Sequence, residues 1–142
     1  MSKLACISLL AALASVPAIA ETAIPDMKGT WIGESESIVL GRGNQHHRAK
    51  AAAAAAEPRL SSVKFTMVID KQDGRRFSGK FSSARGTETV IAVITRSGQI
   101  LLIDDDGYSF GTMLGPDKID LCYMQQNPAM RIASCTELTK QP

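Results

Sequence analysis

No stretch of this 142-residue chain carries a large excess of one charge: 16 lysines and arginines stand against 14 acidic residues, a formal net charge of +2. That balance offers no electrostatic footprint for nucleic acid. Beyond the N-terminus no segment approaches the roughly 20 apolar residues that a membrane-spanning helix needs, so no membrane span is expected in the mature chain. There is no Gly-x-Ser-x-Gly elbow and no phosphate-binding loop, and Gly41-Arg42-Gly43 on its own is a loop. Carboxylate pairs fall only on outward strand positions and hairpin tips, where water holds their pKa values near normal. Nothing here points to catalysis, and a non-enzymatic role without a cofactor is expected.

Metal ligands are equally scarce. The two histidines, His46 and His47, are neighbours; on a helix they would point about 100° apart, and no cysteine or carboxylate nearby completes a zinc set. They are expected at the surface. Asp104-Asp105-Asp106-Gly107 lacks the distant glutamate of an EF-hand loop and fits a hairpin tip built on Asp-Gly turn chemistry.

What the chain does have begins with its first twenty residues. A basic start with Lys3, an apolar run over residues 4–14 and the small-residue ending Ala18-Ile19-Ala20 form a secretory signal peptide. The expectation is cleavage after Ala20, a single domain over residues 21–142, and a periplasmic or secreted location. With Lys3 gone the 16 basic residues become 15 against 14 acidic, a net charge of +1. Cys6 is also lost, leaving Cys122 and Cys135, an even pair that argues for a disulfide in an exported protein.

That pair sits in a terminal hairpin over residues 118–138. If Gln126 faces Arg131 across the turn, the same register puts Cys122 opposite Cys135, and a cross-strand bridge follows. A loop of this length contributes on the order of 3 kcal/mol in the chain-entropy account.

Period-2 alternation marks the strands. Residues 29–40 place Trp31, Ser35, Ser37 and Val39 inward, with Glu34 and Glu36 on the wet side. Residues 41–58 differ in character: Asn44 is a plausible N-cap and six alanines precede Glu57-Pro58, so one short helical, low-complexity insertion is expected. Val63, Phe65, Met67 and Ile69 then alternate as an inward face. A three-residue loop ending at Gly74 pairs Ile69 with Phe77 and keeps the phenylalanines inside. Taking Ser97-Gly98 as the centre of the next hairpin turns Leu101 and Ile103 inward. Asp106-Gly107 then carries Tyr108, Phe110 and Thr112 inside, and Pro116-Asp117 brings Ile119, Leu121 and Tyr123 inside with Cys122 outside. Asp120 and Glu137 would face each other on the outer surface, an unfavourable pair.

Eight short strands joined by tight turns predict an all-β fold, a small antiparallel up-and-down eight-stranded β-barrel with one alanine-rich helical insertion after the first strand. Such a barrel has room for side chains or one small ligand. The opening Gly29-Thr30-Trp31 and the strand Phe77-Ser78-Gly79-Lys80-Phe81 resemble the avidin and lipocalin group, the calycins. The resemblance implies ligand binding in the open end, with Trp31 closing the other. The chain has one tryptophan, and Gly33-Glu34-Ser35 where avidins carry an asparagine-serine pattern, so biotin is not the implied ligand.

Candidate ligand-binding residues are the inward hydroxyls Ser35, Ser37, Thr112, Tyr123, Ser134 and Thr136, which need partners when buried, together with Trp31, Tyr108 and Phe110. The strands around Ile91 and Leu102 are apolar on both faces. Their outer side, Ile91, Val93, Ile100 and Leu102, is a candidate interface for a second copy or an envelope protein. The function expected is an exported binding barrel for a small molecule; the alternative is a protein-interaction barrel, such as a periplasmic protease inhibitor or an envelope-associated structural protein.

Overall fold

A computed structural model describes residues 23–48 and 55–142. Its strands are β1 (Gly29–Gly41), β2 (Ala55–Ser61), β3 (Lys64–Asp73), β4 (Arg76–Ser83), β5 (Gly86–Ile94), β6 (Ile100–Ile103), β7 (Tyr108–Gly115), β8 (Lys118–Asn127) and β9 (Met130–Lys140). Every pairing is antiparallel between sheet neighbours, and β1 closes the sheet by pairing with β9 from Trp31–Lys140 to Gly41–Met130. β2 and β3 run in line along the other edge of β1, β2 against its C-terminal half and β3 against its N-terminal half. They act as one interrupted wall strand, so the barrel is closed, antiparallel and eight-stranded.

The closed end holds the apolar core. Met27 and Trp31 are fully buried there among Met67, Ile69, Ile94 and Leu138. The indole Nε1 donates to the Met27 carbonyl at 2.8 Å. Gln72 fastens the lead segment by accepting from Met27 N at 2.7 Å and donating to the Pro25 carbonyl at 2.8 Å. Trp31 therefore belongs to the apolar core at this end.

The terminal hairpin has the expected register throughout, Gln126 opposite Arg131 and Cys122 opposite Cys135, and the two cysteines form a disulfide. Such bonds persist in oxidising, exported compartments. Asp120 does face Glu137; Lys118 Nζ relieves the repulsion by reaching Glu137 Oε1 at 2.6 Å.

Between these ends the expected phase fails in one place. The β5–β6 loop has three residues, 96–98: Thr95 N donates to the Gln99 carbonyl at 2.7 Å, and Gly98 takes φ +89, the left-handed position such loops require. Ile94 consequently pairs with Ile100, and a one-residue slip exchanges the two faces of a strand. Ile100 and Leu102 are core residues, not interface residues, while Leu101 and Ile103 face outward. The 104–107 turn, in which Asp104 Oδ1 accepts from Asp106 N and Gly107 N at 3.0 and 2.7 Å, passes the slip on. Tyr108, Phe110 and Thr112 therefore lie outside, with Ser109 and Gly111 in their place. A bulge between Met113 and Gly115 then restores the phase, pairing Met113 with Ile119. Two one-residue errors cancel before the terminal hairpin.

The β3–β4 hairpin keeps its expected faces by a different route. A two-residue Gly74-Arg75 turn is followed by a bulge at Asp70, so Ile69 pairs with Gly79 and not with Phe77. The 41–58 insertion differs more. Residues 45–47 form a single turn, Ala55, Ala56, Glu57 and Pro58 belong to β2, and residues 49–54 of the expected helix lie outside the described residues.

Candidate binding site at the barrel mouth

The end opposite Trp31 is closed by the chain itself. After β1, Gly43 adopts φ +74 with its Cα packed on the His47 carbonyl, a position where a Cβ would clash. Asn44 Oδ1 accepts from His46 N and His47 N at 3.1 and 3.0 Å. The side chain thus performs the capping role its type suggested, but for one turn that dips into the barrel. His46 and His47 are 3% and 2% exposed, which overturns their expected surface placement. Phe65 makes an edge contact with the His46 ring and stacks on Phe81 at 4.6 Å between centroids.

Polar partners reach the turn from several strands. His46 Nδ1 lies 2.7 Å from Ser83 Oγ, and its Nε2 stands 3.4 Å from Glu88 Oε2 without a hydrogen bond in good geometry. Gln45 Nε2 donates to Glu88 Oε1. Arg85 Nη1 donates to the His46 and Arg48 carbonyls, both at 2.9 Å, and Arg59 donates to the His47 carbonyl. Tyr123 OH donates to Gln125 Oε1 at 2.9 Å and lies 3.5 Å from Asn44 Nδ2.

Burial shapes the acid-base character of this end. The His47 pKa is lowered to about 4, first by burial and then by His46, Arg59 and Arg85. Glu88 is raised by burial and by Asp104, against the opposing pull of Gln45 and His46. Tyr123 is raised by burial and by Asp104.

Ten polar residues are buried among the described residues, and their placement is one-sided. Seven of them line one chamber beneath the turn: Asn44, His46, His47, Glu88, Ser109, Ser134 and Thr136. The other three connect to it, Ser35 and Ser37 through the chain Ser35–Ser37–Ser134 (3.0 and 2.7 Å), and Gln125 through Tyr123. The space open to water centres is about 30 Å3, enough for one or two waters. Leu102 and Leu121 form its floor.

Of the residues expected from sequence, Tyr123, Ser134 and Thr136 line the chamber, and Ser35 and Ser37 stand behind it. Trp31 is at the far end, and Tyr108, Phe110 and Thr112 are outside. Glu88 and the 44–47 turn were missed. Glu88 was within reach of the pattern, because the face that carries Ala92 and Ile94 also carries Val90 and Glu88. Among the described residues, the one His/Cys/Asp/Glu triad close enough to suggest a metal, Asp120 with Cys122 and Cys135, is spoken for by the disulfide.

The outer wall is the reverse of the mouth. Val93, Leu101, Phe110 and Cys122 form one row across β5–β8, and Ile91, Ile103, Tyr108 and Met124 the next. Ile91, Val93, Leu101, Ile103, Tyr108 and Phe110 are 37–60% exposed and border a groove of about 760 Å3.

Among solved structures the barrel is similar to an S-type phycobiliprotein lyase, CPES from Guillardia theta, with a TM-score of 0.47 and 14% identity over 82% of this chain and 89% of that one. No protein-family model matches the chain, and no curated protein does.

Proposed function

We propose that this chain is an exported, non-enzymatic binding barrel that takes a small ligand at its mouth, with the 44–47 turn as the gate. The observation that supports this most is the gathering of every buried polar residue among the described residues at one end. Burying polar groups costs free energy even when they are partnered, and a barrel that only had to be stable would fill both ends with apolar side chains. The signal-peptide pattern of residues 1–20 and the disulfide support export. The expected ligand has a flat apolar body to lie on Phe65 and Phe81 and a polar head to meet Tyr123, Ser134 and Glu88. It takes the volume that Asn44, His46 and His47 now occupy, since 30 Å3 is far below the several hundred Å3 of ordinary small-molecule sites.

The test is a fluorescence titration of the mature protein with the neutral probe N-phenyl-1-naphthylamine. Saturable one-site binding is expected, abolished by Ser134→Phe, which fills the chamber, and unchanged by Ile103→Glu on the outer wall. Binding lost in Ile103→Glu and retained in Ser134→Phe would move the site to the wall. The second reading, a protein-interaction barrel such as a protease inhibitor or an envelope-associated protein, draws its support from that apolar wall.

A further inference from the structure

Strands β5 and β6 carry apolar residues at nearly every position, Val90-Ile91-Ala92-Val93-Ile94 and Ile100-Leu101-Leu102-Ile103. Continuous apolar runs are the mark of strands covered on both faces. Here one face fills the barrel, and the other is open. We propose that this outer face pairs with the same face of a second copy of the chain, in a twofold dimer independent of the mouth.

Two features favour a second copy over another occupant. The first is area. The six exposed side chains present on the order of 500 Å2 of apolar surface, so two copies would bury about 1,000 Å2 from these alone, the lower bound of a biological interface. The second is charge. Arg76 ends the lower row, opposite Val93 at the β4 edge, in an ion pair with Asp73 at 2.5 Å; with Lys71, also in the groove lining, this corner keeps a net charge of +1. The exposed Asp105 and Asp106 stand above the upper row at the β6–β7 turn, the diagonally opposite corner. A twofold axis that inverts the patch lays the basic corner of each copy on the acidic corner of the other, which is the self-complementarity an isologous interface requires.

Sedimentation velocity of the mature chain from about 1 µM to 1 mM tests this. A dimer mass is expected within that range. Ile103→Glu and Phe110→Glu should each weaken it about 100-fold, with unchanged circular dichroism because both side chains are outside the core. Arg76→Glu should weaken it about tenfold, and adding Asp105→Arg and Asp106→Arg should restore it. A monomer across the whole range, including one that instead takes a different protein on this face, overturns the proposal. So does a dimer whose dissociation constant is untouched by all of these changes.

Discussion

The mouth and the outer wall of this barrel invert the usual placement of side chains. Inside the mouth, histidines, a glutamate and a set of hydroxyls are buried and hydrogen-bonded; outside, on β5–β7, isoleucine, valine and aromatic side chains stand in solvent. The contrast separates two kinds of contribution. Most groups in the mouth already have partners, His46 Nε2 excepted, so changing one leaves others orphaned. Groups on the wall touch only one another and stay 37–60% exposed among the described residues, so changing one should leave the monomer intact. Stability and the proposed association thus fall to different faces of the same strands.

The largest difference should appear between two phenylalanines. Phe65→Ala removes a ring packed on Phe81 and both histidines and should cost about 3–5 kcal/mol in urea unfolding. Phe110→Ala on the wall should change the monomer by no more than about 0.5 kcal/mol. Equal losses would erase the distinction.

Next in size is a pH effect confined to the mouth. Because the folded state holds His47 near pKa 4, below its ordinary 6.5, the unfolded chain binds the proton first. Stability contributed by neutral His47 is full above pH 6.5 and drains away as pH falls towards 4. Glu88, raised when folded, acts in the opposite sense: its contribution is full below about 4.5 and is lost as pH rises through its folded value. His47→Gln should flatten the acid-side loss, and Glu88→Gln should steepen it, in urea midpoints measured from pH 4 to 8. No change of slope in either variant would remove titration from the account of the mouth.

The smallest effect should be on the wall away from the apolar rows. Lys118 and Glu137 are each about half exposed, so Lys118→Ala should cost less than about 1 kcal/mol, read from the same unfolding curves.

Much of the fold was legible because alternation, turn residues and the cysteine spacing agreed. The terminal hairpin shows this best, since Cys122 and Cys135 allow a bridge in only one register. The β6–β7 phase was not legible, for a physical reason. Ile100-Leu101-Leu102-Ile103 is apolar at every position, so periodicity cannot choose a face, and the choice passes to one residue of loop length. Ser97-Gly98 suits a two-residue turn, yet Gly98 also suits the last position of a three-residue loop, and the latter occurs. The mouth was half legible. Tyr123, Ser134 and Thr136 followed from strand phase, and Glu88 could have. The 44–47 turn could not, because nothing local distinguishes an Asn-capped turn that folds into a barrel from one that starts an alanine helix.

The most direct test of the gate is the association rate of N-phenyl-1-naphthylamine with the wild type and with Asn44→Ala, followed by stopped-flow fluorescence. Losing the two backbone hydrogen bonds to Asn44 Oδ1 should loosen the turn by about 1 kcal/mol. The expected result is an association rate about fivefold faster at an unchanged dimer dissociation constant. An unchanged association rate, with the probe displaced by dimer formation, would contradict it and assign ligand binding to the outer wall.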